Sequence, residues 1–493
     1  MGIIEKQASK NLIYSYAGAS LGFLTLLWLS HTLTTDENGL IRILISVSTL
    51  FAQFSGLGFS IVTIRLFPYF RDKEKGHNGF LFYAIIVSLI GFCLCWVAFY
   101  FFKDMIIANN AEKSKLFVEY LFYLMPLSFF SLFFNVFDTY LRSCYYSVIG
   151  SSSKEVIQRV LILIVLAFYF FKLIDFPLFM LGYIVATCLP TVFLMAAIIK
   201  LKEWHVKPVW GFISKKLAVE MVKLSVYSIF AGVSTAIIMS IDSIMVNHML
   251  GLSETGIYGI AFYFGSIILI PARAVNRIAS SVVAEQFKNQ NFKELNKLYN
   301  QTCNAGITIS CILFIGIAVN IDNIMQLLPD AYLSGKSVIL FISAGYITEL
   351  ATGVNQVILY NSKYYYYDTI FIFLVVIITV AGNYILIPLY GIEGSAIATA
   401  ITTASLNILR SVFVNYKFKM QPYDFNSLKL IAISVVAFLC GYVIPEMPNF
   451  IIDTILRSGV VGLIFILLVL KFEAAPELNG KLRKNLKRFS INL

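Results

Sequence analysis

A few charged residues lie inside long apolar segments of this 493-residue chain, where a charge is costly. Arg273 and Arg277 are four residues apart, so they share one face of a helix. Pro271 precedes them and is expected to kink that helix, which would free backbone groups to face a cavity. Guanidinium groups carry forked N–H donors that match phosphate oxygens. The pair predicts a receptor for a phosphate or diphosphate; the alternative is that both side chains reach the inner membrane interface as topology signals.

Two further arginines are candidates for the same anion. Arg65 precedes a proline near the end of its segment, in Arg65-Leu-Phe-Pro68, and Arg159 is about one turn inside another segment. An interfacial role is an equal alternative for both. Arg142 follows Asp138 by four residues, and we expect these two to pair with each other.

Two carboxylates at membrane depth predict coupling to an ion. Glu349 falls near the middle of one apolar segment and Asp242 about two turns inside another. A buried carboxylate has a raised pKa and can hold a proton unless a cation pairs with it. Glu349 and Asp242 are therefore candidates for coupling to H⁺ or Na⁺, or for structural partners of an arginine.

The sequence contains no motif for a metal site, a redox site or an enzyme active site. The seven cysteines fall in or beside apolar segments, and their spacing fits no zinc or redox site. No phosphate-binding loop and no nucleophile with a nearby base is evident. We therefore expect a protein that is not an enzyme and has neither a metal nor a cofactor, with energy from an ion gradient, the membrane potential or the substrate gradient.

The elements that carry these residues are membrane spans. Apolar residues make up 59% of the chain and charged residues 13%, about half the share of a soluble protein. A span needs about 20 mostly apolar residues. The predicted fold is all-α and polytopic, with about fourteen spans at 12–33, 40–63, 80–102, 116–141, 155–174, 176–199, 219–250, 255–284, 302–321, 336–360, 368–388, 391–414, 428–445 and 448–470.

The basic residues behind the net charge of +11 lie mostly in the connections between these segments. Most of the 38 Lys and Arg residues fall on one side of the predicted topology, and only a few, among them Arg42, fall on the other. Basic connections stay in the cytoplasm during insertion. The pattern predicts a multi-pass protein of the bacterial inner membrane with both termini cytoplasmic and no nucleic-acid partner. The first apolar segment is expected to be a retained helix rather than a signal peptide.

The chain contains an internal repeat. His31, Leu33, Glu37 and Gly39 match His248, Leu250, Glu254 and Gly256 at one constant offset. Six spans separate the copies, so both have the same orientation in the membrane. This predicts two six-helix lobes (1–205 and 206–425), a substrate site between them and alternating access, with two extra spans and a basic cytoplasmic tail in 426–493.

Three stretches resemble one family. They are 242–261, beginning Asp242-Ser-Ile-Met; 383–399, which contains Gly391-Ile-Glu-Gly394; and Gly56-Leu-Gly58 through Pro68. They are similar to the polysaccharide flippases of the multidrug/oligosaccharidyl-lipid/polysaccharide exporter superfamily. The resemblance implies a V-shaped, two-lobed fold with a cationic cavity, which suits Arg65, Arg273 and Arg277.

The resemblance also implies an activity. It is the flipping of an undecaprenyl-diphosphate-linked oligosaccharide from the cytoplasmic to the periplasmic leaflet, for O-antigen in lipopolysaccharide, capsule or exopolysaccharide. Implied partners are this lipid-linked oligosaccharide, membrane lipids and other membrane proteins of polysaccharide assembly. Peptidoglycan-precursor flippases carry arginine in the first span, and segment 12–33 has no charge, which disfavours that substrate.

Two alternatives remain open. A multidrug or cation antiporter of the same superfamily would need a cavity dominated by acidic residues, whereas this chain offers more arginines than carboxylates at membrane depth. A membrane polysaccharide polymerase would need a sizeable outer loop with catalytic residues, and the predicted outer connections are short.

Overall fold

The computed structural model of the chain describes residues 3–209, 211–423 and 425–475, with side chains except at 3–12, 230, 231, 235, 273, 274, 277, 278 and 281. These residues are almost entirely helical and contain no strand, so the all-α prediction is confirmed. The basic tail predicted at the C-terminus lies outside the described residues.

Contacts between helices divide the chain into two compact units, unit 1 (Met1–Gly256) and unit 2 (Ile257–Leu493). The division into 1–205, 206–425 and 426–493 stays a prediction. The helices of unit 1 are α1 (Ile3–Thr32), α2 (Thr35–Ser55), α3 (Phe59–Phe70), α4 (Phe80–Asn110), α5 (Lys115–Glu119), α6 (Leu124–Ser143), α7 (Ser147–Ser152), α8 (Gln158–Phe170), α9 (Phe176–Lys200) and α10 (Lys215–Leu250).

Helix α11 (Leu252–Ser266) runs across the boundary between the units. The remaining helices of unit 2 are α12 (Leu269–Lys288), α13 (Phe292–Val319), α14 (Ile321–Met325), α15 (Lys336–Ala351), α16 (Asn355–Asn361), α17 (Tyr365–Phe418), α18 (Phe425–Tyr442) and α19 (Phe450–Lys471).

Nine of the described helices are long and apolar enough to cross a membrane, or up to 11 if each of two bent pairs is one span. The prediction of a polytopic membrane protein is confirmed, although its count of about fourteen is higher. Three differences account for this. The predicted spans 368–388 and 391–414 lie in one 54-residue helix with a break at Gly391, the span 155–174 becomes the 13-residue α8, and the span 255–284 is divided between α11 and α12.

The two bent pairs have their bends at glycines. Helices α2 and α3 meet at 45°, and Gly58 between them has a φ of +68°. Helices α15 and α16 meet at 54°, and Gly353 has a φ of +55°. Glycine adopts this left-handed conformation without steric cost, so the chain can turn sharply here and leave backbone groups outside a helix.

Candidate functional site

In unit 1, two antiparallel segments of the chain pack against each other. One is α2 with the turn after it, and the other is α10 with the first turn of α11. We call their contact the α2–α10 seam. At one end the Ser225 hydroxyl donates a hydrogen bond to the Leu57 carbonyl. Near the other end the Arg42 Nε donates to the Ser243 Oγ over 2.9 Å. Beyond it the hydroxyls of Thr35 and Ser253 are 2.8 Å apart. The two chain segments therefore contact each other along most of the length of α2.

Two glycines bring the backbones of the seam into direct contact. A Cβ atom on Gly39 would overlap the Leu252 carbonyl oxygen, and one on Gly256 would overlap the Thr35 carbonyl oxygen. No side chain fits at either position without moving a backbone. Gly39 and Gly256 are the matched glycines of the internal repeat, so the two copies of the repeat lie against each other through the same residue.

Buried amides reinforce the same end of unit 1. The Asn247 Nδ2 donates to the Asn110 Oδ1 over 3.0 Å, and the Ser114 hydroxyl donates to the Asn247 Oδ1 over 2.9 Å. Asn247 is on α10, whereas Asn110 and Ser114 lie at the end of α4 and just after it. All three side chains are buried, so opening this end would expose or unpair several polar groups.

The sequence-predicted residues of unit 1 lie on three helices. Asp242 is buried on α10, beside the contact between Ser243 and Arg42. Arg65 is exposed on α3. Arg159 lies on α8, where its Nη2 is 3.7 Å from the Glu155 carboxylate. The Arg159 Nε is buried and has no hydrogen-bond partner among the described residues, so this guanidinium keeps a donor for another acceptor.

Arg42 is the residue that sequence reasoning misses. The predicted span 40–63 includes it near the outer end, where its charge is counted only as a topology signal, but it lies about two turns into α2 and is half-buried. The signal is present in Thr34 and Glu37, which form the capping box that begins this helix. A helix beginning at Thr35 places Arg42 inside the element that forms the seam.

In unit 2 the predicted carboxylate Glu349 belongs to a polar cluster beside the bend between α15 and α16. The Asn407 Nδ2 donates to the Glu349 Oε2 over 2.7 Å, and the Thr352 hydroxyl donates to the Asn407 Oδ1 over 3.3 Å. The Asn355 Nδ2 donates to the Asn407 carbonyl oxygen over 3.2 Å. The partner of the Glu349 carboxylate in this cluster is a neutral amide and not a basic side chain.

Four other buried charged residues of unit 2 lie in two ion pairs. Arg410 and Asp368 are 2.7 Å apart and nearly fully buried, and Arg457 and Asp453 are also 2.7 Å apart. In unit 1 the predicted pair of Arg142 and Asp138 is confirmed, with an N–O distance of 2.7 Å.

Arg273 and Arg277 lie on α12, as predicted, but their side chains are outside the described residues. Their role as a phosphate receptor stays a prediction.

Several solved structures share this fold. The chain is similar to the lipid II flippase MurJ in an inward closed conformation, with a TM-score of 0.73 and 16% identity over 93% of this chain and 98% of that one. It is similar to a multidrug resistance MATE family transporter of the MOP superfamily in an inward-facing conformation, with a TM-score of 0.61 and 15% identity over 83% and 94%. It also resembles a mutant of the Vibrio cholerae MATE transporter VcmN, with a TM-score of 0.57 and 10% identity over 85% and 99%.

Sequence comparison identifies the family. No curated protein matches the chain. The family model described as "Polysaccharide biosynthesis protein" matches residues 6–284, which is more than half of the chain and includes all of the α2–α10 seam. The chain shares its fold with a flippase and with transporters of the MOP superfamily, and it belongs to the polysaccharide biosynthesis protein family.

Proposed function

We propose that this protein is a flippase that moves an undecaprenyl-diphosphate-linked oligosaccharide from the cytoplasmic to the periplasmic leaflet of the bacterial inner membrane. The observation that carries the proposal is the polysaccharide biosynthesis family match over 6–284. The MurJ-like fold over 93% of the chain supports it. The product serves assembly of O-antigen in lipopolysaccharide, capsule or exopolysaccharide, with other membrane proteins of that assembly as partners.

Arginines suit the diphosphate of such a substrate. Arg159 has a buried Nε without a described partner, so an incoming phosphate oxygen could accept from it. Arg65, Arg273 and Arg277 complete the proposed set on the basis of the sequence. We expect Arg159→Gln to abolish most flipping, whereas the matched variant Arg142→Gln should keep it because Arg142 already pairs with Asp138.

Ion coupling is assigned to the two predicted carboxylates. The Glu349 carboxylate, which accepts from Asn407, offers oxygen ligands, and Asp242 is buried on α10. The proposed energy source is a gradient of H⁺ or Na⁺, and no further cofactor is needed.

The test begins in cells that lack the gene. A glycan-modifying enzyme confined to the periplasm reports which leaflet holds the lipid-linked oligosaccharide. We expect complete units to accumulate on the cytoplasmic side, and the wild-type gene but not Arg159→Gln to reverse this. Normal periplasmic exposure of unpolymerised units would identify a polymerase instead.

A cross-link tests alternating access at the seam. The hydroxyls of Thr35 and Ser253 are close enough for the double variant Thr35→Cys/Ser253→Cys to form a disulfide with little movement. Oxidation should stop flipping and a reductant should restore it, whereas each single variant should be insensitive. Full flipping by the cross-linked protein would exclude opening of the seam during transport.

The second candidate is a multidrug or cation antiporter, which the similarity to MATE transporters favours. An unchanged lipid-linked pool in the deletion strain, together with ion-coupled dye efflux by the purified protein in vesicles, would establish this alternative. Loss of leaflet exposure without any dye efflux would exclude it.

A further inference from the structure

Three potential metal ligands meet at one end of unit 1, at positions too far apart in the chain to form a motif. They are His77 in a turn before α4, Cys144 immediately after α6, and Glu203 after α9. One ligand atom of each lies within 4.8 Å of the other two. The structure describes no other group of three or more such residues that could hold a metal. Cysteine sulfur, histidine nitrogen and glutamate oxygen are each ligands that bind Zn²⁺ in proteins.

The backbone around His77 is held in a conformation that L residues rarely adopt. Four consecutive residues, Gly76 to Gly79, have positive φ, with +50° at His77 and +48° at Asn78. A residue with a Cβ atom meets steric hindrance in this left-handed conformation. A hydrogen bond within the same region stabilises this turn, since the Asn78 Nδ2 donates to the Phe70 carbonyl oxygen over 3.1 Å. The turn thereby directs a buried imidazole towards Glu203.

The two other ligands also lie beside left-handed residues at helix ends. Cys144 precedes Tyr145, with a φ of +67°, and Glu203 follows Lys202, with a φ of +59°. The Tyr140 hydroxyl donates to the Glu203 carbonyl oxygen over 3.0 Å, which fixes the loop after α9 against α6. Three helix ends are therefore fastened in the arrangement that brings the ligand atoms together.

The two ring nitrogens of His77 have different surroundings. One ring nitrogen, Nε2, is 2.8 Å from the Glu203 carboxylate, and the other, Nδ1, is buried without a hydrogen-bond partner among the described residues. His77 is only 4% exposed, so water does not readily satisfy that atom. The Nε2 atom, which already contacts the Glu203 carboxylate, is therefore the nitrogen placed to share an ion with that carboxylate.

We propose that His77, Cys144 and Glu203 bind a divalent transition-metal ion of the Zn²⁺ class. Zinc–ligand bonds are about 2.0–2.3 Å long, so the His77 Nε2 and the Glu203 oxygen, now 2.8 Å apart, would separate slightly to admit the ion. The fourth position is open to water. The ion would fasten the ends of α6 and α9 to the turn before α4, and it has no part in the proposed flippase chemistry.

One neighbouring charge opposes the ion. The Lys73 Nζ is 3.1 Å from the Glu203 Oε1, and this hydrogen bond raises the pKa of Lys73. The lysine is largely exposed and can turn away into solvent. Removing its charge should therefore strengthen metal binding, which is the opposite of what loss of a merely structural contact would produce.

The test uses Co²⁺ as a spectroscopic probe on the full-length protein, purified in detergent and freed of metal with a chelator. We expect one equivalent of Co²⁺ to give the near-ultraviolet absorption of a thiolate–cobalt bond, and Zn²⁺ to displace it. Cys144→Ser should abolish this band, and His77→Asn and Glu203→Gln should each weaken Zn²⁺ binding at least tenfold. Lys73→Gln should strengthen it severalfold.

Matched controls separate this site from other thiols and imidazoles. Cys188→Ser removes a buried thiol of the same unit, and His205→Gln removes the neighbouring imidazole, whose ring centre is 6.2 Å from that of His77. Both should keep the band. A band that survives in Cys144→Ser, or the absence of stoichiometric Co²⁺ binding, would overturn the proposal.

A measurement on the unaltered chain covers the case in which a variant fails to fold. Zn²⁺ should protect Cys144 from alkylation at least tenfold, as read by mass spectrometry, and leave Cys93 unprotected because it is exposed and outside the cluster. Equal alkylation of Cys144 with and without Zn²⁺ would contradict the site. Loss of metal binding would leave the flippase proposal intact, since the leaflet assay does not depend on Zn²⁺.

Discussion

The α2–α10 seam of unit 1 and the core of unit 2 around α17 join their helices by different means. The described seam contacts are made by glycines, hydroxyls and the Arg42 guanidinium, such as Gly39 against Leu252 and Arg42 with Ser243. In unit 2, the Arg410 Nε of α17 forms an ion pair with the Asp368 Oδ1 at 2.7 Å, and both side chains are buried. A hydrogen bond between neutral groups contributes about 1 kcal/mol net, whereas breaking a buried ion pair costs several times more. The seam therefore brings two backbones into direct contact, whereas the core of unit 2 joins the two halves of α17 through side chains of opposite charge.

The largest expected effect comes from breaking the buried pair of unit 2. Arg410→Met leaves the Asp368 carboxylate buried without its cation, which should cost about 3–5 kcal/mol of stability. Unfolding by denaturant in detergent, followed by circular dichroism, measures it. The double variant Arg410→Met/Asp368→Leu should recover most of the loss, and a double variant as unstable as the single one would show that packing rather than charge is responsible.

A bulky residue in the seam should impair transport more than stability. Gly39→Val places side-chain atoms on the Leu252 backbone and should cost about 1–3 kcal/mol by overpacking. Flipping in the leaflet assay should fall strongly because the seam cannot close. Gly459→Val is the control, since nothing lies within 4 Å of a Cβ at that position. Normal flipping by Gly39→Val would remove the seam from the mechanism.

Neutralising Glu349 tests whether the polar cluster of unit 2 serves transport, in contrast to the buried ion pairs of the same unit, which serve stability. Glu349→Gln keeps an oxygen that can accept from Asn407, so stability should change by less than about 1 kcal/mol. Flipping should nevertheless lose its dependence on the H⁺ or Na⁺ gradient. Transport measured in vesicles under imposed gradients decides this, and an unchanged gradient dependence would reduce Glu349 to a packing residue.

The smallest effect is expected at the half-exposed pair of Asp138 and Arg142. The Arg142 side chain is 53% exposed, so solvent screens the interaction and the pair should contribute only about 0–1 kcal/mol. Asp138→Asn should shift the unfolding midpoint slightly, and less at high salt. A loss comparable to that of Arg410→Met would contradict the distinction between screened and buried pairs.

Local spacing in the sequence predicts much of this molecule. The apolar segments indicate the helical class, four-residue spacing indicates the pair of Asp138 and Arg142, and constant-offset matches indicate the repeat that contains Gly39 and Gly256. Partners distant in the chain leave no such pattern. Arg410 stands out as a charge at membrane depth, but its partner Asp368 lies 42 positions away on the other side of the break at Gly391.

The reciprocal contact at the seam has a consequence for the history of the chain. In the repeat, Gly39 corresponds to Gly256, and Thr35 corresponds to Leu252. Gly39 contacts Leu252, and Gly256 contacts Thr35. The two contacts therefore join equivalent pairs of positions. That is the isologous geometry of a two-fold homodimer. A half-length ancestor could have built this surface by self-association, with every substitution altering both sides together. In a single chain each side can change by itself, and here threonine and leucine occupy the equivalent positions 35 and 252.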